Sequence, residues 1–257
     1  MENKVSMVKE MASDTMFGDE LVEWNGLTWL KRPFWGYTHP DYNLSWYDPS
    51  LPYIDTDGCM VLGIDDRETE FTADNGEVMH RRWATCYVRT FSEQKYGKWE
   101  FEMKCPKGKN LWPALWLASD SSWPPEIDVM EGWSEKDDTY KKNCLQKHIY
   151  PTLHWIDNGN HIAKRGFCTW KWRLDCTGGF DKYTLEWKPD VIRILYNGKT
   201  VMKCKNKGIL DGFNDSSNLM HAILQVNVGE SFCDDDFVDY LRFGSPMKIR
   251  NFEYQEL

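Results

Sequence analysis

Six consecutive residues, Trp99-Glu100-Phe101-Glu102-Met103-Lys104, alternate apolar and charged side chains without a break. A backbone whose side chains repeat every two residues puts the apolar groups on one face and the charges on the other, which is the pattern of a half-buried strand. At helical period the same residues would scatter around the axis. Looser versions recur at Thr85–Phe91, Tyr183–Trp187, Val191–Tyr196, Thr200–Met202, Ala222–Val228 and Lys248–Tyr254. Lys188-Pro189-Asp190 supplies a turn between two of them, and Asn197-Gly198 is a strong hairpin signal. Only Val5, Val8, Met11 and Thr15 have helical spacing, which allows a short helix in an N-terminal extension over residues 1–20. No repeat or long linker divides the rest. Residues 21–257 are therefore expected to form one all-β domain, a sandwich or barrel.

Charge and hydropathy exclude several functions. With 31 Lys plus Arg against 40 Asp plus Glu, the net charge of −9 argues against a nucleic-acid partner, which needs a basic face. The short basic run Lys203–Lys207 reads as a solvated edge strand. No apolar run approaches the roughly 18–20 residues of a membrane-spanning helix, so no membrane partner is expected. Met1–Gly18 lacks the apolar stretch of a secretory leader, which leaves localisation open. The eight cysteines are scattered without a C-x-x-C pair, so zinc is not expected and free buried thiols are favoured over disulfides. The 14 Trp, 12 Tyr and 12 Phe fit either a β core or a platform for flat ligands.

The segment that carries chemistry is Glu126-Ile127-Asp128-Val129-Met130-Glu131. On a regular strand Glu126 and Asp128 share a face, whereas Glu131 points to the other side. One extra residue, a β-bulge near Val129-Met130, would restore the phase and align all three. Retaining glycosidases need two carboxyl groups about 5–5.5 Å apart, one as nucleophile and one as acid then base. Cα atoms four strand positions apart are separated by about 13 Å, a gap that two Glu side chains leaning together across a curved sheet can close. Asp128 between them would raise the proton affinity of a neighbour, and the three would titrate together. Solvent-facing strand carboxylates or a calcium cluster are the other readings of the spacing alone.

This E-x-D-x-x-E segment resembles the bulged signature of glycoside hydrolase family 16. Tyr96–Phe101 and Trp112-Pro113-Ala114-Leu115-Trp116-Leu117 resemble the strand pair that leads into that family's site. Phe180–Tyr183, Glu186–Asp190 with Tyr196–Lys199, Leu224–Gly229 and Pro246–Phe252 resemble later elements in the right order. The resemblance implies a β-jelly-roll sandwich of two curved antiparallel sheets with an open concave cleft. It also implies endo-hydrolysis of a β-linked polysaccharide with retention, without metal or other cofactor, and a monomer is expected. Glu126 would be the nucleophile, Glu131 the acid/base and Asp128 the residue that tunes them. Trp112, Trp116 and Trp133 would line the cleft, Trp123 would form a rim and His154 would bond sugar hydroxyls, whereas Trp99 and Trp187 are expected in the core.

The substrate expected is β-1,3-glucan of the laminarin type or mixed-linkage glucan. A galactan or mucin-type glycan is the alternative, since agarases, carrageenases and porphyranases share the bulged motif. A non-catalytic carbohydrate-binding protein on the same fold is the rival from another class. Two departures stand out: Arg250 occupies a position where many members place an acid, and Trp24–Pro52 aligns with no part of the pattern.

Overall fold

A computed structural model describes residues 20–38, 44–72, 76–108, 111–132, 149–166, 176–215, 217–228 and 244–257. The proposed helix over Val5–Thr15, Trp133 and the cysteines at 144, 168 and 233 lie outside these residues. The strands in chain order are β1 (Leu21–Trp24), β2 (Leu27–Leu30), β3 (Ser45–Tyr47), β4 (Tyr53–Ile54), β5 (Met60–Leu62) and β6 (Asp65–Thr72). Next come β7 (Val78–Thr90), β8 (Gly97–Lys104), β9 (Leu111–Ala118), β10 (Glu126–Glu131), β11 (Thr152–Asp157) and β12 (Asn160–Arg165). The last are β13 (Asp181–Lys188), β14 (Val191–Tyr196), β15 (Lys199–Cys204), β16 (His221–Val228) and β17 (Met247–Gln255), with the helix α1 (Lys207–Asn214) before β16.

The strands form two sheets. The larger runs β1-β2-β7-β16-β9-β10-β11-β12, with β3 and β6 also on β7, and the smaller runs β15-β14-β13-β8-β17-β5-β4. The pairing is antiparallel apart from β3 on β7. Of the sandwich or barrel that the alternating segments allow, the chain forms the sandwich, the jelly-roll that the family resemblance implies. Trp99, Phe101 and Met103 all point inward from β8 and are buried, while Glu100 and Glu102 pair outside with Lys98, Lys182 and Arg250. Trp99 stacks on Trp187 at 6.1 Å and 24° within the smaller sheet, so both serve the core as expected. Trp29 of β2 reaches across the sandwich, edge-on to Phe252 of β17 at 5.4 Å.

Turn chemistry holds the register. Asn197 and Gly198 both adopt positive φ (47° and 75°), and Tyr196 pairs with Lys199, the two-residue hairpin that Asn-Gly favours. Asn25-Gly26 and Asn158-Gly159 make the same turn between β1 and β2 and between β11 and β12. Gly97 opens β8 at φ 122°, where a Cβ would lie 2.5 Å from the Tyr254 ring. The Lys203–Lys207 run departs from its expected form. Lys203 and Cys204 end the edge strand β15, but Asn206 caps the Gly208 amide and Lys207 starts α1. Cys59, Cys86, Cys105, Cys176 and Cys204 are buried free thiols. No helix among the described residues is long and apolar enough to cross a membrane.

Candidate active site

Strand β10 runs between β9 and β11 in the larger sheet. Its pairing with β9 advances regularly from Glu126↔Ala118 to Asp128↔Trp116 and then slips, so that Met130 faces Leu115 and Glu131 faces Ala114. The slip is the expected bulge. Val129 and Met130 both turn into the core beside Ile127, and Glu131 returns to the face that carries Glu126 and Asp128. Apolar demand explains it: two consecutive residues, Val129 and Met130, are buried in the sandwich, and the chain absorbs one as an extra step.

The three carboxyls differ in surroundings. Asp128 is buried, with its side chain 2% exposed, and its Oδ2 lies 3.1 Å from Nε2 of His154. The same nitrogen is 3.7 Å from Oε1 of Glu126. Glu126 accepts a hydrogen bond from Nε1 of Trp123 at 2.7 Å and shares one with Asp128. Glu131 accepts from Nε1 of Trp112 at 3.2 Å. Burial, followed by the charge of Asp128, raises the proton affinity of Glu126 well above the usual carboxylate range. Burial and then the charge of Glu131 do the same to Asp128. His154 is pushed the other way by burial, which favours the neutral ring although Glu126 opposes it. Burial and mutual repulsion thus favour the protonated form of the acid pair and the neutral form of the imidazole beside it.

Glu126, Asp128 and His154 each offer one donor atom within 4.8 Å of the others, a spacing a cation could bridge. Trp123 donates to Glu126, whereas Oδ2 of Asp128, buried in the cluster, has no hydrogen-bond partner among the described residues.

The expected aromatic residues separate by position. Trp123 is 53% exposed in the loop before β10, at the rim of the carboxyl cluster. Trp112 is half-buried and touches Glu131. Trp116 lies on the same face but is only 8% exposed, because Trp35 covers it at 6.1 Å and 30°. Trp35, Tyr47, Tyr87 and Trp116 form an aromatic floor over Ala114, Ala118 and Ile223, apart from the main core. Nε1 of Trp116, Oη of Tyr87 and Oε1 of Gln225, all buried there, have no hydrogen-bond partner among the described residues. At the Glu126 end of that floor, Arg89 meets Asp120 at 2.7 Å, and His221 lies 3.4 Å from the same carboxylate.

Sequence reasoning missed Trp35, Arg89, Asp120, His221 and His161. Arg89 and His221 are brought in by the long-range pairing of β7 with β16, Trp35 by packing over Trp116, and Asp120 by its ion pair with Arg89, none of which a local pattern signals. His161 was within reach: Asn158-Gly159 is the same hairpin signal as Asn197-Gly198, and it folds β12 back onto the strand that carries His154.

Residues 53–229 match the family Glycosyl hydrolases family 16. Endo-1,3-1,4-beta-glycanase EglC of Rhizobium meliloti (strain 1021) is 23% identical over 216 residues, 84% of this chain and 39% of that protein. The chain spans between 29% and 55% of the length of the curated relatives it matches. Among solved structures, the laminarinase catalytic domain of Thermotoga maritima MSB8 superposes with a TM-score of 0.63 at 22% identity, covering 84% of each chain. A structure reported with endo-acting O-glycanases of the human gut microbiota that initiate mucin breakdown gives a TM-score of 0.72 at 20% identity, covering 93% of this chain and 88% of that one.

Proposed function

The chain belongs to glycosyl hydrolases family 16, and from that premise we propose that it is an endo-acting, retaining β-glycanase for β-1,3-glucan or mixed-linkage glucan. The observation that carries the reading is the bulge that sets Glu126, Asp128 and Glu131 on one open face. Glu126 attacks the anomeric carbon and forms a glycosyl ester, while Glu131 protonates the departing glycosidic oxygen. Glu131 then takes a proton from water, which hydrolyses the ester and restores both groups. Burial makes Glu126 a strong base and hence a strong nucleophile once ionised. Asp128, hydrogen-bonded to it and itself raised in proton affinity, is the group that holds the pair's proton during attack. Trp123 and Trp112 each fix a carboxyl with an indole N–H and offer an apolar ring to a pyranose face. The curated relatives named as 1,3- and 1,3-1,4-glucan hydrolases support the choice of glucan.

The test is reducing-end release from laminarin, lichenan, agarose, carrageenans and mucin glycans, with Glu126→Gln run beside the wild type. The expected result is cleavage of laminarin or lichenan by the wild type alone. Full activity in Glu126→Gln overturns the mechanism. A polymer that is bound but not cut would make the protein a carbohydrate-binding module.

A further inference from the structure

The β11–β12 hairpin brings a second imidazole to the cluster. Nε2 of His161 lies 2.9 Å from Nδ1 of His154, and the two rings stack at 5.1 Å and 14°. The register explains the contact: His154 pairs with Ala163 and Ile156 with His161, so the two histidines are diagonal neighbours on one face. On its other side His161 lies against the Trp123 ring, 4.8 Å away at 49°. Trp123 in turn donates to Glu126, and His154 meets both acids through its remaining nitrogen. Five side chains, Glu126, Trp123, His161, His154 and Asp128, thus close a ring of contacts.

An N···N contact between imidazoles needs one donor and one acceptor. That requirement leaves two arrangements for neutral rings. In the first, His154 carries its proton on Nε2, 3.1 Å from Oδ2 of an ionised Asp128, and His161 donates from Nε2 to Nδ1 of His154. In the second, Asp128 carries the proton opposite a bare Nε2, and Nδ1–H of His154 donates to His161. The tautomer of His161 therefore decides the tautomer that His154 presents to Asp128. His154 also faces Glu126 and Asp128 from β10 and feels the charge of Arg165 on β12, while the titratable group facing His161 is His154. Two fully protonated rings cannot keep the contact, so acid breaks it from the solvent side.

We propose that His161 is a positioning residue that fixes the tautomer of His154 and seats Trp123 against Glu126, so that an exposed edge strand sets the proton balance of the buried carboxyl pair. The catalytic consequence rests on the proposed function, but the coupling of the two rings does not. Two variants separate its contacts. His161→Phe keeps a ring against Trp123 and loses the bond to His154, whereas His161→Gln keeps a donor and an acceptor for Nδ1 and loses the ring.

Ring 15N shifts of His154 measure its tautomer directly, without any substrate. One tautomer should dominate in the wild type and in His161→Gln at pH 7, and a mixture or the other tautomer in His161→Phe. On the best polymer, His161→Phe should lower kcat by about ten- to a hundredfold, the scale of a lost hydrogen bond to a charged network, and shift the acid limb of the kcat profile. His161→Gln should restore that limb. An unchanged His154 tautomer in His161→Phe, or an unchanged kcat profile in a variant that does change the tautomer, overturns the proposal. If no polymer is cut, the proposed function fails, and the nitrogen shifts still decide whether His161 controls His154.

Discussion

Strands β9, β10 and β16 present two faces built from alternate residues of the same chain, and the faces obey different rules. Inward, Leu115, Leu117, Ile127, Val129, Leu224 and Val226 are buried and apolar. Outward, the same strands carry Trp116, Glu126, Asp128 and Gln225, of which Asp128 and Gln225 are as buried as core residues yet polar. The inward face is stable because nothing on it asks for water or charge. The outward face holds acids with raised proton affinity and buried polar atoms that have no hydrogen-bond partner among the described residues, an arrangement that costs stability. Stability and function thus divide by strand parity.

Four substitutions test that division. Glu131→Gln on the open face should lower kcat by roughly 10²–10⁴-fold, the range for loss of a general acid/base, with an unchanged melting temperature. Loss of stability instead of rate would show the open face to be structural. Trp187→Ala on the core side should do the reverse, destabilising by about 3–5 kcal/mol in denaturant titration while the remaining folded protein keeps its kcat. Asp128→Asn should separate the two properties at one position. Asp128 and Glu126 have folded proton affinities above their unfolded values, so the native state binds more protons, and stability is lost as pH rises from about 4 through the raised value. Removing one charge should raise the melting temperature at pH 7 by about 2–4 °C, with the gain fading towards pH 4, while kcat falls. Trp116→Phe should have the smallest effect: stability within about 1 kcal/mol of wild type, since the lost N–H has no partner among the described residues, and a KM raised several-fold for the longest oligosaccharides.

The chain's local patterns foretold what depends on neighbours in sequence. Trp99–Lys104 declared its own strand and its inward face, Asn197-Gly198 its hairpin, and Glu126–Glu131 its bulge, because parity and turn stereochemistry act over two to six residues. Strand β6 was silent, since Asp65–Thr72 is polar apart from Phe71 and carries ion pairs such as Arg82–Asp66 where a buried strand would carry apolar groups. Its partner, the first half of β7 from Val78, was missed for the same reason. At the site, the carboxyls and Trp123 were legible because their relation is local. Trp35 over Trp116 was not, because 81 residues and several strands separate them, as the numbers 116 and 35 show. His161 lay between these cases, one turn away from being read.

The bulge has a consequence for how this site can change by descent or design. A strand stores direction as an odd or even count, and the extra residue at Val129-Met130 adds one to that count. Glu126 and Glu131 are five apart in the gene but four apart on the surface. Losing the extra residue together with the bulge would leave the two glutamates four apart on a regular strand, still on one face. Losing a residue while keeping the bulge would turn Glu131 towards the core. Residue count and bulge together make a two-valued code, and only changing both at once preserves its meaning.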